Sequence, residues 1–349
     1  MTTPPSDGTA STSDASSQNE APDSRLSRLP ALVELLIRDA ALVDESSVIP
    51  ESHLAAFADA GLYGAAAPRS AGGLELDLDQ FCSVVEELSA ACLTTTFLWL
   101  QHFRLLGTLL DPATPPELRS MFPKVVTGQI RGGISLGGSH SGPPRLIAHS
   151  TKEGWVLNGE SPWVSGWGIV DEIVVTSREG DQSVASFVLD ARLCEGLTAT
   201  PLHLSAMNAS STVTLTFSNV SVPHDRYVGS EPYAPGLERR EGLRVNGSLS
   251  LGVTRRCCAV IGPSSLDEEL VRAREELDHA SAVEMPEARA RAAGLAVRSA
   301  HALAISIGSR SAISGDIAER STREASLLLV FGSRPAIKSA LLARMFGRF

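Results

Sequence analysis

The sequence predicts an α+β protein of several domains: an N-terminal helical domain, a central β-barrel or sandwich domain, and a C-terminal four-helix bundle. Three observations predict it. Apolar residues recur at helical spacing up to about Gly128. Short β-branched runs punctuated by Gly, Ser, Asn and Pro take over between Arg131 and Pro223. Long Ala-, Arg- and Leu-rich helical segments return after Pro235. Helices, then strands, then helices, without β–α alternation, argue against a doubly wound or α/β-barrel architecture. At 349 residues, 43% of them hydrophobic, the chain can fill two or three cores. The expected units are a tail over 1–24, helices over 25–130, strands over 131–235 and a bundle over 236–349.

Each element follows in order. Leu32, Leu35, Leu36 and Ala40 share a helix face over 30–42, and Pro30 suits a first turn. A short helix over 52–60 stops at Gly61, and a loop follows over 68–73. Helices are expected over 79–91 and 94–110, the latter apolar on most sides and therefore central. Pro115 and Pro116 open another that ends near Gly128. The clearest strands are 173–176, 184–189 and 212–217. A strand from Gly154 is expected to turn at Asn158-Gly159, and a second short strand then carries Trp163 to Ser165. The bundle helices are 237–261, 266–280, 286–314 and 317 to the end.

Composition excludes several functions. A formal net charge of −10 repels polyanions, which argues against nucleic-acid binding. The first 24 residues hold no large apolar residue after Met1 and no basic one, so they read as disordered and not as a secretory signal. No apolar run has the roughly 20 residues of a membrane span. The expectation is a cytoplasmic protein. Five cysteines without C-x-x-C spacing suggest neither a disulfide framework nor a zinc site, and eight scattered histidines suggest no metal. Gly133-Ile134-Ser135-Leu136-Gly137 fits a hydrolase nucleophile pattern, but Gly142, Pro143 and Pro144 cannot begin the helix that motif needs. The glycines at 137 and 142 mimic a phosphate loop whose lysine is replaced by Pro143.

The informative stretch runs from Gly154 to Val175, within which Trp163-Val164-Ser165 delivers a tryptophan, an aliphatic residue and a hydroxyl. It resembles the W-[IV]-[ST] segment of the acyl-CoA dehydrogenase family. The resemblance implies that Trp163 packs against a flavin ring and that Ser165 hydrogen-bonds its reactive edge, with FAD as cofactor. Gly61-Leu62-Tyr63-Gly64 through Gly73 is similar to the family's G-[LV]-x-G-x-x-x-P-x-x-x-G-G. Phe217 through Pro223 is similar to its F-x-x-V-x-V-P, and Gly242-Leu243-Arg244 to the opening of its C-terminal bundle. Ser135 falls at the threonine of the T-E-P-x-x-G-S-D loop, and Ser139 or Ser141 at its serine. These positions imply Ser135 and Ser141 as further flavin contacts.

The resemblance also breaks in places, as in a divergent member with a shortened C-terminal domain. The family's α-proton base is a glutamate, but no Asp or Glu follows Glu324, and Leu243 precedes Arg244 where some members carry it. Glu241, three residues before Arg244, is the candidate base, and Arg244 the candidate substrate contact. The alternative for Glu241 is an ordinary carboxylate near a helix start. The late glycine-rich segment is replaced by residues 330–337, where Arg334 pairs with a phosphate or Gly332 ends a helix and Pro335 starts another. The leading expectation is an FAD-dependent oxidoreductase acting on the CH–CH group of an acyl thioester or related acyl compound. Alternatives are a non-catalytic partner subunit and a flavin monooxygenase on the same fold. The resemblance implies an acyl-CoA-like ligand, an electron acceptor and a homo- or hetero-oligomer.

Overall fold

The computed structural model describes residues 22–139, 142–234, 239–332 and 334–347. Most of the tail expected over 1–24 therefore lies outside the described residues, although its last residues open α1 (Pro22–Leu26). Six more helices follow: α2 (Leu29–Ser46), α3 (Glu51–Asp59), α4 (Leu78–Ala91), α5 (Leu93–Leu110), α6 (Pro116–Arg119) and α7 (Phe122–Val126). The helix expected from Pro115 to Gly128 is thus two short ones, because Pro123 interrupts the run. Asp77 and Gln80 cap α4 reciprocally, side chain to backbone at 2.8 and 3.1 Å. α5 is central, as its all-round apolarity predicts. Its Trp99 is buried among Phe57, Phe81 and Phe103, and its indole N–H donates to the Leu62 carbonyl at 3.1 Å.

Eight strands make one mixed sheet: β1 (Gly132–Ser135), β2 (Leu146–Ser150), β3 (Gly154–Val164), β4 (Glu172–Glu179), β5 (Ser183–Asp190), β6 (Leu197–Pro201), β7 (Val213–Pro223) and β8 (Tyr227–Pro232). The order is β6-β7-β3-β2-β4-β5-β8, with β1 parallel to β4. The turn expected at Asn158-Gly159 does not form. β3 runs straight through these residues, which instead face a bulge in β7, where three steps from Phe217 to Val220 oppose two from Gly159 to Leu157. Gly159 sits at φ +121°, where a Cβ would lie 2.0 Å from the Arg145 carbonyl oxygen. The Asn158 amide donates to Asn219 Oδ1 at 3.1 Å, and its oxygen accepts from the Asn219 N–H at 2.8 Å. Turn residues here serve a crowded interior strand.

The C-terminal part has five helices, not the four expected: α8 (Arg240–Ile261), α9 (Ser265–His279), α10 (Met285–Ile307), α11 (Ile317–Val330) and α12 (Pro335–Met345). The last expected helix breaks because Gly332 takes φ +58° and Pro335 starts α12, the second of the two readings of this segment. α8 packs closely on α4, since a Cβ on Gly252 would stand 2.0 Å from Ser89 Oγ. Arg256 of α8 donates to Glu324 of α11, both buried. Arg323 joins three parts of the chain, bonding Asp44 of α2 at 2.5 and 3.1 Å and the Ser205 carbonyl at 3.3 Å. Among the described residues no helix is long and apolar enough to cross a membrane, and no cluster of His, Cys, Asp and Glu could hold a metal.

Candidate functional site

The end of β3 departs from strand geometry. Ser161 stands opposite Leu215 and Val164 opposite Val213, so β3 spends one residue more than β7 over this interval. The surplus is taken up at Pro162 and Trp163. Trp163 has φ +64°, a left-handed conformation that a bulky side chain adopts at a cost of about 1–3 kcal/mol. The result is an indole 60% exposed, while Trp99 and Trp155 are buried and Trp167 is partly so. Strain and an exposed aromatic surface coincide at this residue, where the bulge re-aims the side chain outward.

Ser165 lies two residues on and is buried. Its hydroxyl is 2.7 Å from Thr212 Oγ1, which is 2.8 Å from Ser210 Oγ. The loop that carries these hydroxyls also holds the backbone after β3: the Gly166 N–H donates to the Ser210 carbonyl at 2.7 Å and the Trp167 N–H to Ser211 at 3.2 Å. Ser135, at the end of β1, is buried and donates to Ser161 Oγ at 2.7 Å. A Cβ on Gly133 of the same strand would lie 3.7 Å from the Ser165 carbonyl. The structure therefore brings the Ser135 and Trp163–Ser165 segments together, with the indole exposed and both hydroxyls buried. Of the alternative loop serines, Ser139 donates to Thr176 Oγ1 at 3.1 Å, and Ser141 lies outside the described residues.

Sequence reasoning missed Thr212, Ser210 and Arg178. Arg178 is buried and donates to the carbonyls of Gly138 at 3.0 Å and Gly142 at 3.4 Å, so it holds both ends of the loop after β1. Its guanidinium also covers the Tyr233 ring, 3.1 Å from the centroid. The hydroxyl-rich run Ser210-Ser211-Thr212 was the available signal, but it reads equally well as the start of a strand.

The structure does not bring the two α8 candidates into one place. Arg244 is buried, donating to Asp278 Oδ1 at 2.7 Å and to Ser248 Oγ at 2.6 Å, and so clips α8 to the end of α9. Glu241 is exposed in the first turn of α8. It keeps its water, the opposite of the dry setting an α-proton base needs. The buried carboxylates of Glu86 and Glu324 each bond an arginine, Arg274 and Arg256. Phe331, at the α11–α12 break, meets Phe97 of α5 edge to face at 5.0 Å.

Residues 32–129 match the family described as "Acyl-CoA dehydrogenase, N-terminal domain". A mitochondrial isovaleryl-CoA dehydrogenase of Oryza sativa subsp. japonica is 25% identical over 209 residues, covering 57% of this chain and 51% of the relative. The chain is similar to the acyl-CoA dehydrogenases, over its N-terminal helices by the family match and over its whole length by fold. Its fold superposes on a glutaryl-coenzyme A dehydrogenase in complex with glutaryl-CoA, with TM-score 0.79, 16% identity and coverage of 95% and 97% of the two chains. A dibenzothiophene monooxygenase from Paenibacillus sp. A11-2 has the same fold, with TM-score 0.75, 16% identity and coverage of 93% and 98%. The sequence matches are narrower: the chain spans about half the length of the curated relatives it matches, 51% and 54% of the first two.

Proposed function

We propose that the chain is a flavin-dependent oxidoreductase of acyl-CoA dehydrogenase type, acting on the CH–CH group of an acyl thioester or related acyl compound. The observation that carries this reading is Trp163, strained and exposed at the position where the family packs an indole against its flavin. The donor set fits the group. Ser165, Thr212 and Ser210 share two hydrogen bonds among three hydroxyls, which leaves one O–H to spend on a ligand among the described residues. Ser135 spends its proton on Ser161 and keeps acceptor lone pairs.

Bound FAD would supply the acceptor for two electrons. Trp163 would wall one side of the ring, Ser165 and Ser135 would present hydroxyls, Ser141 would add a further loop contact, and Arg178 would hold that loop in place. Arg244 contacts substrate only by giving up its bond to Asp278, and Glu241 takes a proton only once bound substrate has stripped its water. The relatives named for acyl-CoA substrates support a thioester ligand. The same reading places the protein in the cytoplasm and in a homo- or hetero-oligomer.

A second reading is favoured by the carboxylates. With Glu241 in water and Glu86 and Glu324 paired to arginines, flavin chemistry that needs no α-proton base, as in a monooxygenase, suits the chain. The test is a visible spectrum of the purified protein with FAD, then anaerobic addition of acyl-CoAs. Bleaching by an acyl-CoA supports the dehydrogenase. A flavin spectrum that no acyl-CoA bleaches supports the second reading, and absence of a bound-flavin spectrum contradicts both.

A further inference from the structure

The three buried hydroxyls behind Trp163 take a direction once a ligand offers one of them an acceptor. A hydroxyl donates one hydrogen bond, so two bonds among Ser165, Thr212 and Ser210 leave one proton over. If Ser165 donated inward, Thr212 would donate to Ser210, and the spare proton would sit on Ser210. That residue is 0% exposed, and among the described residues its side chain bonds only Thr212. If both serines donated to Thr212, the spare proton would sit on Thr212, which is buried as well. A buried donor without an acceptor is costly in either place, and a ligand's acceptor at Ser165 removes that cost only for the opposite direction. If Ser210 donates to Thr212 and Thr212 to Ser165, the spare proton sits on Ser165. Ser165 is two residues from the exposed indole and is the one hydroxyl of the three that a ring lying on Trp163 could meet.

The frame around the chain is stiff. Ser211 and Met207 both have positive φ, 48° and 64°. The Asn208 side chain exchanges two bonds of 2.8 Å with the backbone of Leu204. Gly166 and Trp167 are tied to the Ser210 and Ser211 carbonyls. Together these contacts fix where the hydroxyl chain starts and ends.

We infer that Thr212 and Ser210 are positioning residues that polarise Ser165 as a hydrogen-bond donor toward the flavin, an inference that rests on the flavin reading above. A donor at that edge favours the electron-rich, reduced ring. Losing the polarity should therefore weaken flavin binding and shift the midpoint potential to more negative values.

The experiment uses the full chain and FAD, comparing wild type with Thr212→Val, Thr212→Ser, Ser210→Ala and Ser165→Ala. Thr212→Val should weaken FAD binding by about 3- to 10-fold, the worth of one hydrogen bond, and make the potential more negative. Thr212→Ser should restore both. Ser210→Ala removes the penalty on the inward direction without touching Ser165, so it should move the potential the same way by a smaller amount. On a Ser165→Ala background Thr212→Val should have no further effect on either reading. If Thr212→Val does not fold, Ser210→Ala and Thr212→Ser decide alone. The inference is overturned if these variants change thermal stability but leave FAD affinity and potential at wild-type values. If wild-type protein takes up no FAD, the flavin reading itself falls and takes this inference with it, an outcome distinct from the first.

Discussion

The end of β3 and the core of the C-terminal bundle handle polar and strained groups in opposite ways. In the bundle, charge is buried and paired: Arg256 with Glu324, Arg244 with Asp278, and Arg274 with Glu86 across to α4. At the end of β3 the backbone is strained, the largest side chain stands in solvent, and a buried hydroxyl chain has a proton to spare. Pairing offsets the cost of burying charge, whereas the strain at Trp163 is imposed by the register shift around it and is of the kind that clusters at ligand sites. The two regions therefore make different predictions for stability and for ligand binding.

The comparison can be broken most directly in the bundle. Glu324→Ala should destabilise the protein by about 3–5 kcal/mol in chemical unfolding, because it strands the buried Arg256 guanidinium. Replacing both partners together with apolar residues should cost far less. A loss from Glu324→Ala below about 1 kcal/mol would show that the pair is not structural.

Acid should expose a second structural group. His102 of α5 is buried and accepts the Gly132 N–H at its Nδ1, 3.0 Å away, so the neutral ring carries its proton on Nε2. Burial lowers its pKa from 6.5 to about 4. The unfolded chain therefore binds a proton that the folded chain refuses between those values. Stability should fall as pH drops through this window, by about 3 kcal/mol in all, and recover on return. His102→Gln should flatten the slope, as unfolding midpoints measured from pH 7 to pH 4 would show.

Two substitutions probe the chemistry. Glu241→Gln should slow flavin reduction by an acyl-CoA about 100-fold in stopped-flow if Glu241 is the base. An unchanged rate would favour the base-independent reading. Trp163→Gly should separate binding from stability. Glycine accepts φ +64° without strain, so the variant should be more stable by about 1 kcal/mol and yet lose flavin.

Much of this was legible in the chain. Helix spans follow from apolar spacing and from local caps such as Asp77–Gln80, which need only near neighbours. The Trp163–Ser165 segment was readable because its signal is contiguous. What was hidden depends on distant partners. Asn158-Gly159 suits a turn or a strand opposite a bulge equally, and Asn219, 61 residues away, decides between them. Thr212 reaches Ser165 across 47 residues, and Arg178 reaches Gly138 across 40. The bond that holds Arg244 comes from Asp278, 34 residues on. The break after Val330 was written in Gly332 and Pro335, but an apolar run on either side masks such a break.

The central claim is that Trp163 is held in strain to receive a flat cofactor. Titrating FAD into wild-type protein and Trp163→Ala, followed by visible absorption, tests it directly. The account expects the wild type to develop a bound-flavin spectrum and Trp163→Ala to bind about 10- to 30-fold more weakly, at unchanged or higher thermal stability. Equal FAD affinity in the two proteins, or no uptake by either, would contradict it.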